Sequence, residues 1–193
     1  VAKYYADEEL PVRLCYTGNT YTNTLKLQGK LKEVTQIGAE LVNDDSSAAD
    51  AEIIATVIDC FNEIGISDFQ IEIGQIDYFK GLVAESGISE DEEDQIKEYI
   101  HIKNFFGLEE YVDALDISDS LKKAFVAFDS LFGGISMLDK AEGYVSNETS
   151  LEAVKRLRRV YAALECYGYQ DHISFDLGML DGYNYYTGII FRG

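Results

Sequence analysis

The sequence predicts an α+β domain: an antiparallel sheet flanked by helices, with a helical insertion between two strand pairs. Three observations predict it. Strand-like segments with period-two alternation lie near both ends, over residues 11–22 and 32–42 and again from 172 onward. The stretch between them carries apolar residues at helical spacing, punctuated by caps and glycine stops. The chain has 193 residues, 47% of them hydrophobic, which is enough for one sizeable core. There is no internal repeat or low-complexity linker, and the lone proline, Pro11, argues against a flexible multi-domain chain. Residues 1–193 therefore read as a single domain.

Taken in order, "PVRLCYTGNTYT" (11–22) and "KEVTQIGAELV" (32–42) read as two strands joined by a loop containing Gly29. In the second, alternation places Ile37, Ala39 and Leu41 on one face and Gln36, Gly38 and Glu40 on the other. "DDSSAADAEIIATVIDCFNEIG" reads as a helix capped by Ser46 or Ser47 and stopped by Gly65, with Ile53, Ile54, Val57, Ile58 and Phe61 on its apolar face. "DFQIEIG" is a short strand leading into a helix from about Gln75. "SGISEDEEDQIKEYI" opens a helix at Ser89, with Glu92 as capping-box partner and an acidic first turn that suits the helix dipole. Further helices run to about residue 132, where "FGG" breaks the pattern, so the insertion spans about 75–148.

"TSLEAVKRLRRVYAALECYG" has the clearest helical period, with Leu151, Val154, Leu157, Val160, Tyr161 and Leu164 as its buried stripe. Thr149 and Glu152 are expected to form its capping box. Its basic cluster, Lys155, Arg156, Arg158 and Arg159, reads as an exposed face paired with the acidic middle of the chain. "HISFDLG" and "YYTGIIFRG" close the sequence as two strands around the turn "DGYN".

Charge excludes some functions. Sixteen Lys and Arg against 35 Asp and Glu give a net charge of −19, and the whole surplus lies between residues 44 and 148, with 25 acids and 6 bases. Such a surface repels a polyanion, which counts against nucleic-acid binding. No apolar run reaches the ~18 residues of a membrane-spanning helix. Cys15, Cys60 and Cys166 are odd in number and scattered, which reads as reduced thiols in a cytoplasmic protein, not a disulfide framework. With only His101 and His172 as histidines, no metal site is expected, and no cofactor.

Gln36 and Glu40 stand roughly 13 Å apart along their strand, four steps of about 3.3 Å. Gly38 between them leaves backbone as a floor, so a small ligand could be met by an amide at one end and a carboxylate at the other. One strand of this kind is weak evidence, and so is a tyrosine pair such as Tyr185 and Tyr186. Together, "QIGAE" after a basic loop and "YYTGIIF" beyond a helical insertion resemble the catalytic core of class II histidyl-tRNA synthetases. The resemblance spans nearly the whole chain, from motif-two hairpin to histidine-specific strand. It implies a class II synthetase-like antiparallel sheet, with the family's first motif upstream of Val1 and its third beyond Gly193. It further implies that Gln36 holds the α-amino group of L-histidine, that Glu40 and Tyr186 grip the imidazole, and that Tyr185 helps close the pocket, with Gly38 and Gly188 as floor. A carboxylate and a phenol do suit the two imidazole nitrogens, which differ in donor and acceptor character.

The chain departs from the synthetase pattern at two positions. The motif-two arginine falls at Thr22, and the histidine-specific arginine falls at Asp181, which reverses the charge. A hydroxyl cannot replace a guanidinium fork on phosphate, and loss of one electrostatic donor costs about 10²–10³ in rate. The expectation is therefore a non-catalytic protein. "FDLGMLDGYNYYTGIIFRG" resembles more closely the regulatory subunits of ATP phosphoribosyltransferase, synthetase paralogues of the first step of histidine biosynthesis. That resemblance implies a partner, the short catalytic subunit of the transferase, and a homodimer of this protein within a hetero-octamer inhibited by histidine. An active histidyl-tRNA synthetase, or a synthetase-like histidine-binding module with another partner, are the alternatives.

Overall fold

The computed structural model describes residues 2–5, 10–23, 31–180 and 186–193. After a one-turn helix, α1 (Ala2–Tyr5), the first two strands form a hairpin, β1 (Val12–Tyr21) and β2 (Glu33–Val42). They pair antiparallel from Val12 opposite Val42 to Tyr21 opposite Glu33, and Thr22 N–H donates to the Lys32 carbonyl (2.9 Å) beyond the last pair. The loop carrying Gly29 lies outside the described residues. Next comes α2 (Ser47–Glu63), capped by Ser46, whose hydroxyl accepts from Ala49 N–H. Of its expected apolar face, Ile54 and Ile58 are fully buried, while Ile53, Val57 and Phe61 are half-buried.

β3 (Ile71–Gln75) follows and leads without a loop into α3 (Ile76–Ser86). Gln75 makes the junction work, because its side-chain oxygen accepts from Asp77 N–H (2.9 Å) and caps the helix. The insertion then winds through α4 (Glu90–His101), α5 (Phe105–Asp113) and α6 (Asp119–Val126), and through a two-residue strand, β4 (Phe132–Gly133), to α7 (Met137–Tyr144). The capping box at the start of α4 is present as expected, with Glu92 accepting from both the backbone N–H and the hydroxyl of Ser89 (2.7 Å each).

The long helix α8 (Glu148–Tyr167) returns the chain to β5 (Ile173–Asp176), and β6 (Ile189–Arg192) ends it. Its cap differs from the expectation. Asn147, not Thr149, accepts from Ser150 N–H (2.7 Å), and Glu152 is held by Arg159 rather than reaching back to the cap. The buried stripe shifts accordingly: Ser150 and Ala153 are buried, and Leu151 and Tyr161 are only half-buried. The basic cluster is paired with acidic residues nearer the N-terminus as expected, Arg156 with Asp45 and Asp50 and Arg158 with Asp139 and Glu142.

The sheet is mixed. Its order is β4-β5-β3-β6, with β3 parallel to β5 and antiparallel to β6. The parallel pair follows from the connection, since the helical insertion and α8 form a crossover between β3 and β5. Among the described residues the β1–β2 hairpin is a separate two-stranded sheet. Ile71, Ile73 and Phe175 point from one sheet face into a core shared with Ile54, Ile58, Val160 and Leu164 of α2 and α8. The opposite face carries Glu72, Asp176 and Arg192 and is partly open.

Helices α3 and α8 touch at Gly81, where a Cβ would stand 2.3 Å from the Ser150 hydroxyl and 2.8 Å from the Ser150 backbone nitrogen. Backbone cannot step aside. Gly81→Ala is therefore expected to destabilise by about 1–3 kcal/mol in urea unfolding.

The Ser89 N–H and hydroxyl hold the Glu92 carboxyl below the usual glutamate range. Because folding depresses this value, the stabilisation is present above the unfolded value of about 4.3 and is lost as pH falls through the folded one. Glu92→Gln should lower the unfolding temperature at neutral pH, and the difference should vanish in strong acid.

Candidate functional site

The hairpin presents two faces. On one, register sets Gln36 opposite Gly18, Gly38 opposite Tyr16 and Glu40 opposite Leu14. The face-sharing of Gln36, Gly38 and Glu40 thus follows from the pleat. Gln36 is exposed and Glu40 half-buried, and among the described residues neither side chain has a hydrogen-bond partner. The expected bare floor at Gly38 is corrected: the Tyr16 ring lies across it, so close that a Cβ on Gly38 would stand 2.3 Å from the ring. A cross-strand aromatic over a glycine replaces the missing side chain and covers the backbone. A ligand on this face meets a phenol ring between the amide and the carboxylate.

The other hairpin face looks toward α2. Cys15, Thr17, Ile37 and Ala39 line an apolar cavity of about 610 Å³ with Val57, Cys60 and Phe61. Ile37 is 74% exposed, so the apolar set of β2 lines this groove instead of packing into the core. Arg13 ties this side of the hairpin to the helix through a two-pronged pair with Glu52, its NH2 donating over 2.7 Å. That pair raises the Arg13 guanidinium and lowers the Glu52 carboxyl. The thiols of Cys15, Cys60 and Cys166 are free and exposed.

Tyr186 and Gly188 sit at the entrance to β6. Gly188 has φ +77, a left-handed conformation that favours glycine, and its carbonyl accepts from Ile76 N–H (3.1 Å) at the start of α3. Lys80 donates to the Tyr186 carbonyl (3.4 Å). The Tyr186 side chain is half exposed and lines a cavity of about 350 Å³ with Met179, Ile189, Ile190, Phe191 and Arg192. Tyr185 and Asp181 lie outside the described residues. Of the expected pocket residues, Gln36, Gly38 and Glu40 thus stand on one face of the hairpin and Tyr186 and Gly188 at the entrance to β6. Ile76 and Lys80, which hold the Tyr186–Gly188 segment, are not among the residues the sequence pointed to, because their bonds reach a part of the chain more than 100 positions away.

The arginines are informative. Each of the chain's five, Arg13, Arg156, Arg158, Arg159 and Arg192, is ion-paired to a carboxylate of this same chain. Thr22, the position at which the resemblance implies an arginine, is exposed, and its backbone N–H donates to the Lys32 carbonyl (2.9 Å). Among the described residues no group of three or more His, Cys, Asp or Glu could hold a metal ion. No described helix is long and apolar enough to cross a membrane.

A helix-backed sheet with one open face, a motif-two-like hairpin and a long helical insertion define a class II aminoacyl-tRNA synthetase-like domain. The chain belongs to the histidyl-tRNA synthetase family, whose sequence model matches residues 1–193. An ATP phosphoribosyltransferase regulatory subunit of Acetivibrio thermocellus is 42% identical to it over 97% of this chain and 45% of its own length. A crystal structure of an ATP phosphoribosyltransferase regulatory subunit/histidyl-tRNA synthetase from Bacillus halodurans superposes with a TM-score of 0.88 at 31% identity, covering 99% of this chain and 50% of that one. An ATP phosphoribosyl transferase (HisG:HisZ) complex from Thermotoga maritima shares the fold, with a TM-score of 0.72 at 17% identity over 98% of this chain and 65% of that one. The chain spans about half the length of the curated relatives it matches.

Proposed function

We propose that the chain is the synthetase-like core of a regulatory subunit of ATP phosphoribosyltransferase, which binds L-histidine and the short catalytic subunit and has no aminoacylation chemistry of its own. The observation that carries this reading is the commitment of every arginine to an intramolecular carboxylate. Adenylate formation needs a guanidinium fork or an equivalent on the α-phosphate of ATP. Recruiting one of these arginines would leave its carboxylate partner unpaired. The 42% identical relative, itself a regulatory subunit, supports the same reading.

In this proposal Gln36 takes the α-amino group, Glu40 and Tyr186 take the imidazole, and Tyr185 closes the pocket over the Gly188 turn. The half-buried Glu40 carboxylate suits that role, being partly desolvated and without a hydrogen-bond partner among the described residues. A site built on those groups rejects analogues lacking the ring nitrogens, because its own polar atoms would be stranded. The acidic middle of the chain fits a protein that binds no nucleic acid. For assembly the proposal takes what the family resemblance implies, a homodimer of this protein within a hetero-octamer with the short catalytic subunit, in the cytoplasm.

The test mixes the full-length parent protein with the short transferase subunit and follows condensation of ATP with phosphoribosyl pyrophosphate. Activity should appear on mixing and fall with L-histidine. Glu40→Gln and Tyr186→Phe should each raise the half-inhibitory histidine concentration about tenfold, the loss of one hydrogen bond to a charged or polar ligand group. Histidine-dependent exchange of ATP with pyrophosphate by the parent protein alone would overturn the proposal in favour of an active synthetase.

A further inference from the structure

A third cavity, of about 310 Å³, opens on the exposed face of the four-stranded sheet, lined by none of the residues assigned above. Glu72, Asp176 and Gly178 line it from the sheet, Ile100, Lys103 and Phe105 from the corner between α4 and α5, and Phe128 and Phe132 from the end of the insertion. Its charges are not all spoken for. Glu72 is held by Arg192, the residue directly opposite on β6, through a 2.7 Å bond. Asp176 is different. Its Oδ1 accepts from Gly178 N–H (2.8 Å), whereas Oδ2 lies 3.9 Å from the Arg192 guanidinium, beyond hydrogen-bonding distance, although the side chain is only 17% exposed. Paired with Arg192 only at that longer range, Oδ2 still has room to accept a hydrogen bond from a ligand in the cavity.

Across the cavity stands Lys103. Its φ is +55, one of only two positive values at non-glycine residues among those described. A lysine there costs about 1 kcal/mol that a glycine would not. The turn itself would form with glycine, since what it needs is the backbone bond from Lys103 N–H to the Ile100 carbonyl (3.1 Å). Despite the acidity of the chain, no carboxylate pairs with the Lys103 ammonium among the described residues. The same cavity has an apolar wall, with Phe128 buried, Phe105 half-buried and Phe132 63% exposed.

We propose that this cavity is a second small-molecule site, for a free α-amino acid with a flat or apolar side chain. The α-carboxylate pairs with Lys103, the α-ammonium donates to Asp176 Oδ2, and the side chain lies against Phe105 and Phe132. The charge pattern selects the class. A phosphate or nucleotide meets two carboxylates at the wall, and a simple cation meets Lys103, so only a dipolar ligand satisfies both ends. The volume is that of a small-ligand pocket. This site is independent of the histidine pocket proposed above, and L-phenylalanine separates them because it lacks the nitrogens that pocket reads.

The experiment is isothermal titration of the full-length parent protein with L-phenylalanine, repeated with phenethylamine and with 3-phenylpropionate. L-Phenylalanine should bind, and the two half-molecules should not. Lys103→Gly should weaken binding about tenfold, the loss of one charge-assisted hydrogen bond, while leaving the unfolding temperature unchanged or higher. Asp176→Asn, which keeps the oxygen that accepts from Gly178, should weaken it similarly, and Glu40→Gln should not alter it. Absence of L-phenylalanine binding, unaltered binding in Lys103→Gly, or equal binding of phenethylamine would each overturn the proposal.

Discussion

At the crossing of α3 and α8 the buried Ser150 hydroxyl donates to the Tyr78 carbonyl over 2.7 Å, and much else depends on that contact. It exists because Gly81 has no side chain, so the two helix backbones approach closely enough for a serine to bridge them. Asn147 caps α8 at the same place, and its amide also donates to Glu85 of α3 (2.9 Å). Tyr78 is buried one turn away with its phenol on the Ala141 carbonyl, and burial pushes that phenol's pKa up, so it stays neutral. The crossing fixes where α8 runs, and α8 delivers β5 alongside β3. Because α3 starts directly from β3, it also fixes the Gln75–Ile76 junction against which Gly188 is pinned.

Charge is organised on a different principle from the core. The acid excess lies between residues 44 and 148, and two arginines of α8 bind back to it: Arg156 to Asp45 and Asp50, Arg158 to Asp139 and Glu142. Most of these pairs are surface pairs, individually worth little. Their consequence lies more in what they occupy than in what they stabilise. They hold all five guanidinium groups of this chain against neighbouring carboxylates.

Legibility in the sequence varied with how local the determining forces are. The capping box at Ser89 and Glu92 and the Ser46 cap involve atoms within one helical turn, and they stand as expected. The face-sharing of Gln36, Gly38 and Glu40 follows from the pleat alone. The cap of α8 did not follow from local pattern. Asn147 and Thr149 are both acceptable caps in isolation, and the choice was made by Ser150 bonding to α3 and by Arg159 claiming Glu152. Tyr16 over Gly38 was likewise invisible, because it depends on which residue of the partner strand lies opposite.

What the sequence by itself determined was the set of elements, their order and the class of fold, since periodicity, capping and residue identity are carried within short stretches of chain. Only the tertiary structure decided the parallel partnership of β3 and β5, the pairing of each arginine, and the cavity that Lys103 and Asp176 both line. Some of these residues, such as Ile71 and Ile173 or Lys103 and Asp176, stand far apart in the chain and are brought together by how the helices of the insertion pack. Packing over that range depends on side-chain shape at crossings such as Gly81 and Ser150, which no local pattern encodes.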